Sequence, residues 1–247
     1  MARHLIRLSV AVGTLAFAAC GGSAAVSTTA ESTTAVSTTA EEAVGAATVD
    51  VDGSSIHVER VAADDTTDDA PTVLLLHGAA FTSADWFELG IAQGLADEGL
   101  AVVALDLPGF GESTTFAGER ADFLPAFLET MGLDPADTII VSPSMSGTFS
   151  LPALRRPELA DLAGFVPVAP SGGSSFAESG PVLDIPALVV RGDRDGADPA
   201  AIADDLASAF AESEVWIVPD AGHPAYVDAP DEFVARVAAF ALYQYSS

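Results

Sequence analysis

The 247-residue chain has no lysine, nine arginines and a single cysteine. With 36 acidic residues against those nine bases, the formal net charge is −27. So negative a surface repels phosphate backbones and anionic lipid headgroups, and nucleic acid is not an expected partner. One cysteine, Cys20, excludes an intramolecular disulfide. Charged residues are also sparse at 18%, against 49% hydrophobic, which places the chain outside the disordered class. The length suits one domain with a sizeable core and leaves too little chain for two.

Near the start, "MARHLIRLSVAVGTLAFAACGGS" sets Arg3 and Arg7 before an apolar run from Leu8 to Ala19, too short to span a bilayer as a permanent helix. Residues 1–19 read as a secretory signal peptide. The Cys20-Gly-Gly-Ser that follows resembles a bacterial lipoprotein signal, in which Cys20 is lipidated. Phe17 stands where that pattern prefers leucine, so an ordinary signal-peptidase cut is the alternative. The expectation is an exported protein, a cell-membrane lipoprotein facing outward or otherwise secreted or periplasmic, touching membrane only through its N-terminal lipid. Residues 20–47 are Ser/Thr/Ala-rich, with "AVSTTAES" recurring as "AVSTTAEE", and read as a flexible linker.

The folded domain is expected over 48–247. "ATVDVDGSSIHVERVA" alternates on either side of Asp52-Gly53 and predicts a β-hairpin. "PTVLLLHG" is continuously apolar, as a strand buried on both faces must be. Helices are predicted over 86–98, 122–131, 146–156, 199–210 and 230–243, and strands over 101–105, 138–141, 164–167, 187–191 and 215–218. Such alternation predicts an α/β fold, a mostly parallel doubly wound sheet with helices on both faces. Ligands then bind at the carboxyl ends of the strands, where the polar residues of interest fall.

In "VSPSMSG" Ser144 ends a strand and begins a helix, with Ser142 and Ser146 at the positions two before and two after it. A strained strand-to-helix elbow accepts only small side chains at those flanks. A serine hydroxyl needs a base and an orienting carboxylate to attack. Of the four histidines, His4 lies in the signal, His57 in the hairpin, His77 at a strand end and His223 in "DAGHPAY" after the last strand. "ALVVRGDRDGADP" offers Asp193, Asp195 and Asp198, the last placed as a helix N-cap before Pro199. His77 is read as a brace for its loop, and Ser113 of "LDLPGFGEST" as support for the rim.

Taken in order, His77-Gly78, "DLPGFG", Ser144, the aspartates and His223 resemble an α/β-hydrolase. More narrowly, "VSPSMSGTFSLPAL", "GFVPVAP" and "AGHPAYVDAPDEF" resemble the α/β-hydrolase domain-containing protein 14 family, whose elbow also has serines for the flanking glycines. The resemblance covers about Gly53 to Leu242. It implies Ser144 as nucleophile, His223 as base and, through a G-x-x-D pattern counted from Gly192, Asp195 as acid, with Asp193 the alternative. It also implies an oxyanion hole from the backbone N–H groups of Ala79 and Met145.

Between the strand after the elbow helix and the strand bearing the acid lies only "SGGSSFAESGPVLDI", too short for a cap domain. An open site lined by Phe81, Met145, Phe176 and Tyr226 is expected, suited to small acyl esters or acyl groups on accessible molecules. The expected protein is a monomeric serine esterase with no cofactor, no metal and a small-molecule acyl substrate. The same triad can serve acyl transfer, deacetylation or perhydrolysis, and a surface-tethered binding protein without activity is the alternative from another class.

Overall fold

A computed structural model describes residues 44–62 and 70–246. The expected signal peptide, Cys20 and most of the expected linker lie outside these residues. Strand β1 (Val44–Val51) begins four residues before the anticipated domain start at 48. It pairs antiparallel along its full length with β2 (Ser54–Val61), from Val44 opposite Val61 to Val51 opposite Ser54. Small residues such as Gly45 and Ala46 carry no strand signal of their own, so β2 decides that extension.

The remaining strands are β3 (Thr72–Leu75), β4 (Ala101–Leu105), β5 (Thr138–Pro143), β6 (Gly164–Val168), β7 (Ala187–Gly192) and β8 (Ser213–Val218). They form one eight-stranded sheet in the order β1-β2-β4-β3-β5-β6-β7-β8. β2 meets β4 antiparallel, and every later pairing is parallel. The hairpin therefore caps one edge of a doubly wound sheet, as the sequence pattern implies.

Both faces are apolar, and the strand period of two divides the residues between them. Leu74, Leu76, Ile140 and Phe165 face a core shared with Phe123, Phe127 and Phe149. Val73, Leu75, Ile139, Val141 and Val166 face the other, with Trp86 and Phe233. The first face is covered by helices α3 (Arg120–Met131), α4 (Gly147–Ala153), α5 (Gly173–Glu178) and α6 (Pro199–Ala207). α1 (Ser83–Glu88), α2 (Ile91–Asp97) and α8 (Pro230–Tyr245) cover the second, preceded by the short α7 (Ala225–Asp228). Full burial of a side chain such as Phe165 or Leu74 contributes roughly 1.5–3 kcal/mol.

Two local expectations change. The helix predicted over 86–98 is two helices, because Gly90 takes φ +73° between them, a conformation that stops the first. The segment read as a loop over 171–185 contains α5, a six-residue helix packed against α4 and α6. Its apolar Phe176 finds a core partner in Phe210. It is not a cap over the sheet.

Candidate active site

The elbow is built from β5, a 3-10 turn over Ser144–Ser146, and α4. Ser144 has φ +49°, in the left-handed region a side chain with a Cβ enters at a cost of roughly 1–3 kcal/mol. Ser142 and Ser146 beside it are fully buried. They do more than fit the turn. Ser146 Oγ donates to the Pro143 carbonyl at 2.7 Å, and Ser142 Oγ lies 2.9 Å from Ser146 Oγ and 2.6 Å from Ser150 Oγ. The Ser144 carbonyl accepts from the Ser171 N–H at 2.7 Å, pinning the loop after β6 against the elbow.

Asp195 follows β7 and His223 follows β8, and the two loops meet because Gly192 has no side chain. A Cβ at Gly192 would lie 2.1 Å from the Gly222 carbonyl oxygen. The Arg194 N–H donates to the Ala221 carbonyl, and the Gly222 N–H to Asp228 Oδ2, tying both loops down. His223 Nε2 then stands 2.8 Å from Ser144 Oγ, and His223 Nδ1 3.1 Å from Asp195 Oδ2. With the proton on Nδ1, the imidazole donates to the carboxylate and accepts from the serine hydroxyl, the polarity a base needs. His223 is about half exposed (49%) while Asp195 is mostly covered (14%). Of the aspartates in that loop, Asp195 is the one on the histidine. Asp193 is exposed, and Asp198 caps α6 by accepting from the Ala201 N–H.

On the other side of Ser144 lies the turn after β3. His77 is fully buried, and burial holds its pKa below the ordinary 6.5. Neutral, it donates from Nδ1 to the Gly78 carbonyl and accepts at Nε2 from the Leu107 N–H, bracing this turn against the loop after β4. Burial raises the Asp106 carboxyl, but N–H donors from Ser83 and Glu112 outweigh it and leave the group below its ordinary 3.8. Ser113 accepts from the His57 N–H and donates to the Asp106 carbonyl, so it supports the rim structurally.

Ser144 and His223 open into a cavity of about 370 Å³ walled by Gly78, Ala79, Phe81, Pro143, Pro224 and Tyr226. Tyr226 packs on Phe81 (ring centroids 5.9 Å apart) and on Trp86 (4.5 Å). Burial, with Asp85 nearby, pushes its phenol well above the ordinary 10.0, so it stays protonated. Phe81 and Tyr226 thus stand where the sequence reading puts them. Phe176 does not: it is buried against Phe210 under the Arg155 guanidinium and does not line this cavity. Met145, also expected in the lining, packs its side chain on the first core and does not line this cavity.

Two residues escaped the sequence reading. Ser150 joins the buried hydroxyls, and its cue is its spacing, one helical turn beyond Ser146. Arg191 Nη2 lies 3.0 Å from Asp195 Oδ2, and its cue is an arginine four residues before that aspartate.

An α/β-hydrolase family model matches residues 73–182. The human protein named "Putative protein-lysine deacylase ABHD14B" is 39% identical over 170 residues, 66% of this chain and 79% of the relative. Protein ABHD14A of Danio rerio is 38% identical over 167 residues, 65% of this chain and 60% of the relative. The crystal structure of a predicted CIB-like hydrolase from Thermoplasma acidophilum superposes with TM-score 0.68 at 27% identity, over 80% of this chain and 97% of that one. Carboxylesterase CesB of Bacillus subtilis, at 18% identity, shares the fold with TM-score 0.64 over 80% of this chain and 91% of its own. Sequence, topology and these relatives agree: the chain belongs to the α/β-hydrolase family, on its ABHD14-like branch.

Proposed function

We propose that the protein is a serine hydrolase that removes small acyl groups from esters through Ser144, His223 and Asp195. The observation that carries this reading is the 2.8 Å contact between His223 Nε2 and Ser144 Oγ, with Asp195 on the opposite ring nitrogen. Ser144 Oγ attacks the acyl carbon as its proton passes to His223 Nε2. The oxyanion is held by the N–H groups of Ala79 and Met145, the first on the turn after β3 that walls the cavity with Ser144. Collapse breaks the bond to the alcohol oxygen, which takes the proton from His223. Water, deprotonated by the same imidazole, then hydrolyses the acyl-enzyme and frees Ser144.

The cavity of about 370 Å³ suits a short acyl chain, and the half-exposed imidazole leaves room for a leaving group that stays in solvent. Acyl-lysine amides are a second substrate class, favoured by the name of the human relative and by that open leaving-group side. Export, with lipidation at Cys20, belongs to the same proposal and rests on the N-terminal sequence.

A fluorophosphonate probe tests the nucleophile. The wild type is expected to be labelled and a folded Ser144→Ala variant not; equal labelling, or none of a folded wild type, overturns the reading. Ester hydrolysis is expected to fall as p-nitrophenyl chains lengthen beyond the cavity.

A further inference from the structure

We infer that Arg191 is a positioning residue of this site, one that fixes the Asp195 carboxylate and acts on His223 through it. The inference rests on the triad reading above. Asp195 lies on a turn whose other members, Asp193, Arg194, Gly196, Ala197 and Asp198, are all exposed. Main-chain bonds from the Asp193 N–H to the Val218 carbonyl and from the Arg194 N–H to the Ala221 carbonyl hold the backbone of this turn, but they do not fix the Asp195 carboxylate to the tolerance that proton transfer demands. The Asp195 N–H reaches the Gly192 carbonyl at 3.2 Å, and that bond alone leaves the side chain free to rotate.

Arg191 supplies the rest. It is the penultimate residue of β7, before Gly192, with its side chain mostly buried (16% exposed) in the wall of a second cavity between α5 and α6. From there Nε donates to the Asp195 main-chain carbonyl at 3.1 Å, and Nη2 lies 3.0 Å from Oδ2 as an ion pair. One rigid plane thus grips both the peptide and the carboxylate of the same residue, fixing the turn and the side-chain rotamer together. Oδ2 is also the oxygen that faces His223 Nδ1, so one atom takes both partners. Two neighbouring charges are committed elsewhere: Arg194 pairs with Asp220, and Asp228 accepts from the Gly222 N–H. A lysine could make one of the two contacts but not both, because its ammonium is a single point.

Five full-length proteins test this: wild type, Arg191→Ala, Arg191→Lys, Asp195→Ala and the Arg191→Ala/Asp195→Ala double variant. Each is followed by p-nitrophenyl acetate kinetics, fluorophosphonate labelling rate and thermal unfolding. Arg191→Ala is expected to lower kcat and the labelling rate about 10- to 100-fold with KM unchanged, the scale of a misplaced catalytic group. Millimolar methylguanidinium should restore part of the loss, and Arg191→Lys should remain impaired. Because Arg191 acts through Asp195, the double variant should be no slower than Asp195→Ala. An Arg191→Ala rate within twofold of wild type, or losses that multiply in the double variant, overturns the inference while the hydrolase reading stands. A folded wild type inert to probe and ester overturns both. Should Arg191→Ala fail to fold, Arg191→Lys carries the test, and wild-type kcat in that variant overturns the inference.

Discussion

Ser150 Oγ lies 2.6 Å from Ser142 Oγ, joining the first turns of α4 to the strand that leads into Ser144. Each hydroxyl has one proton, which fixes the direction of the chain. Ser146 spends its proton on the Pro143 carbonyl, so Ser142 donates to Ser146 and Ser150 donates to Ser142. The chain ends on the peptide that leads into Ser144, the residue at φ +49°. Serines replace the usual elbow glycines here as a hydrogen-bonded strut.

Ser142→Ala should therefore cut the strut at its centre, leaving the Ser150 donor without its acceptor. A buried unpaired hydroxyl costs about 1–3 kcal/mol, and urea unfolding should show a loss of that size. Ser150→Ala removes the terminal donor and leaves the inner bonds intact, so a smaller loss is expected. Equal stability of wild type and Ser142→Ala would show that the hydroxyls only fill space.

The two candidate acids separate in a simple exchange. Asp195→Asn is expected to lower kcat on the order of 10⁴-fold, since the amide no longer holds the imidazole in the right tautomer. Asp193→Asn, at an exposed position off the histidine, should stay within twofold. Ester hydrolysis on both variants decides between them.

Phe81 and Phe176 should behave oppositely. Phe81→Ala enlarges the cavity beside Ser144, and the preferred p-nitrophenyl ester should shift to a longer acyl chain. Phe176→Ala empties a core position and should destabilise the fold by about 3 kcal/mol with the chain-length preference unchanged. A shifted preference in Phe176→Ala would return that residue to the site.

Acid should weaken the fold in two windows. The His77 pKa is lower folded than unfolded, so the unfolded chain takes up the proton first. Its contribution is complete above pH 6.5 and is lost as pH falls from there through the folded value. Asp106 is also lower when folded, so its contribution is present above pH 3.8 and is lost at still lower pH. Urea midpoints of wild type and His77→Gln between pH 7.5 and 5 check the first window: the wild type should fall more steeply.

Short-range patterns made much of this molecule legible. The apolar run Val73–Leu76 announces a strand covered on both sides, and Asp52-Gly53 between alternating residues announces the hairpin. S-x-S-x-S between strand and helix, with later Asp and His loops, places the candidate triad, because each piece must end a strand in a doubly wound sheet. The break at Gly90 and the helix at Gly173–Glu178 were missed, since both turn on one backbone angle or on packing from other elements.

The sequence by itself determined the fold class, the chain order of the candidate serine, aspartate and histidine, and the small residues of the elbow, because these follow from local periodicity and sterics. Only the tertiary structure decided which side chains share space. It withdrew Phe176 into the core beside Phe210, brought Ser150 under Ser142, and set the Arg191 guanidinium on the Asp195 carboxylate. Those choices depend on where the ends of neighbouring strands converge, and convergence is set by the packing of the whole sheet.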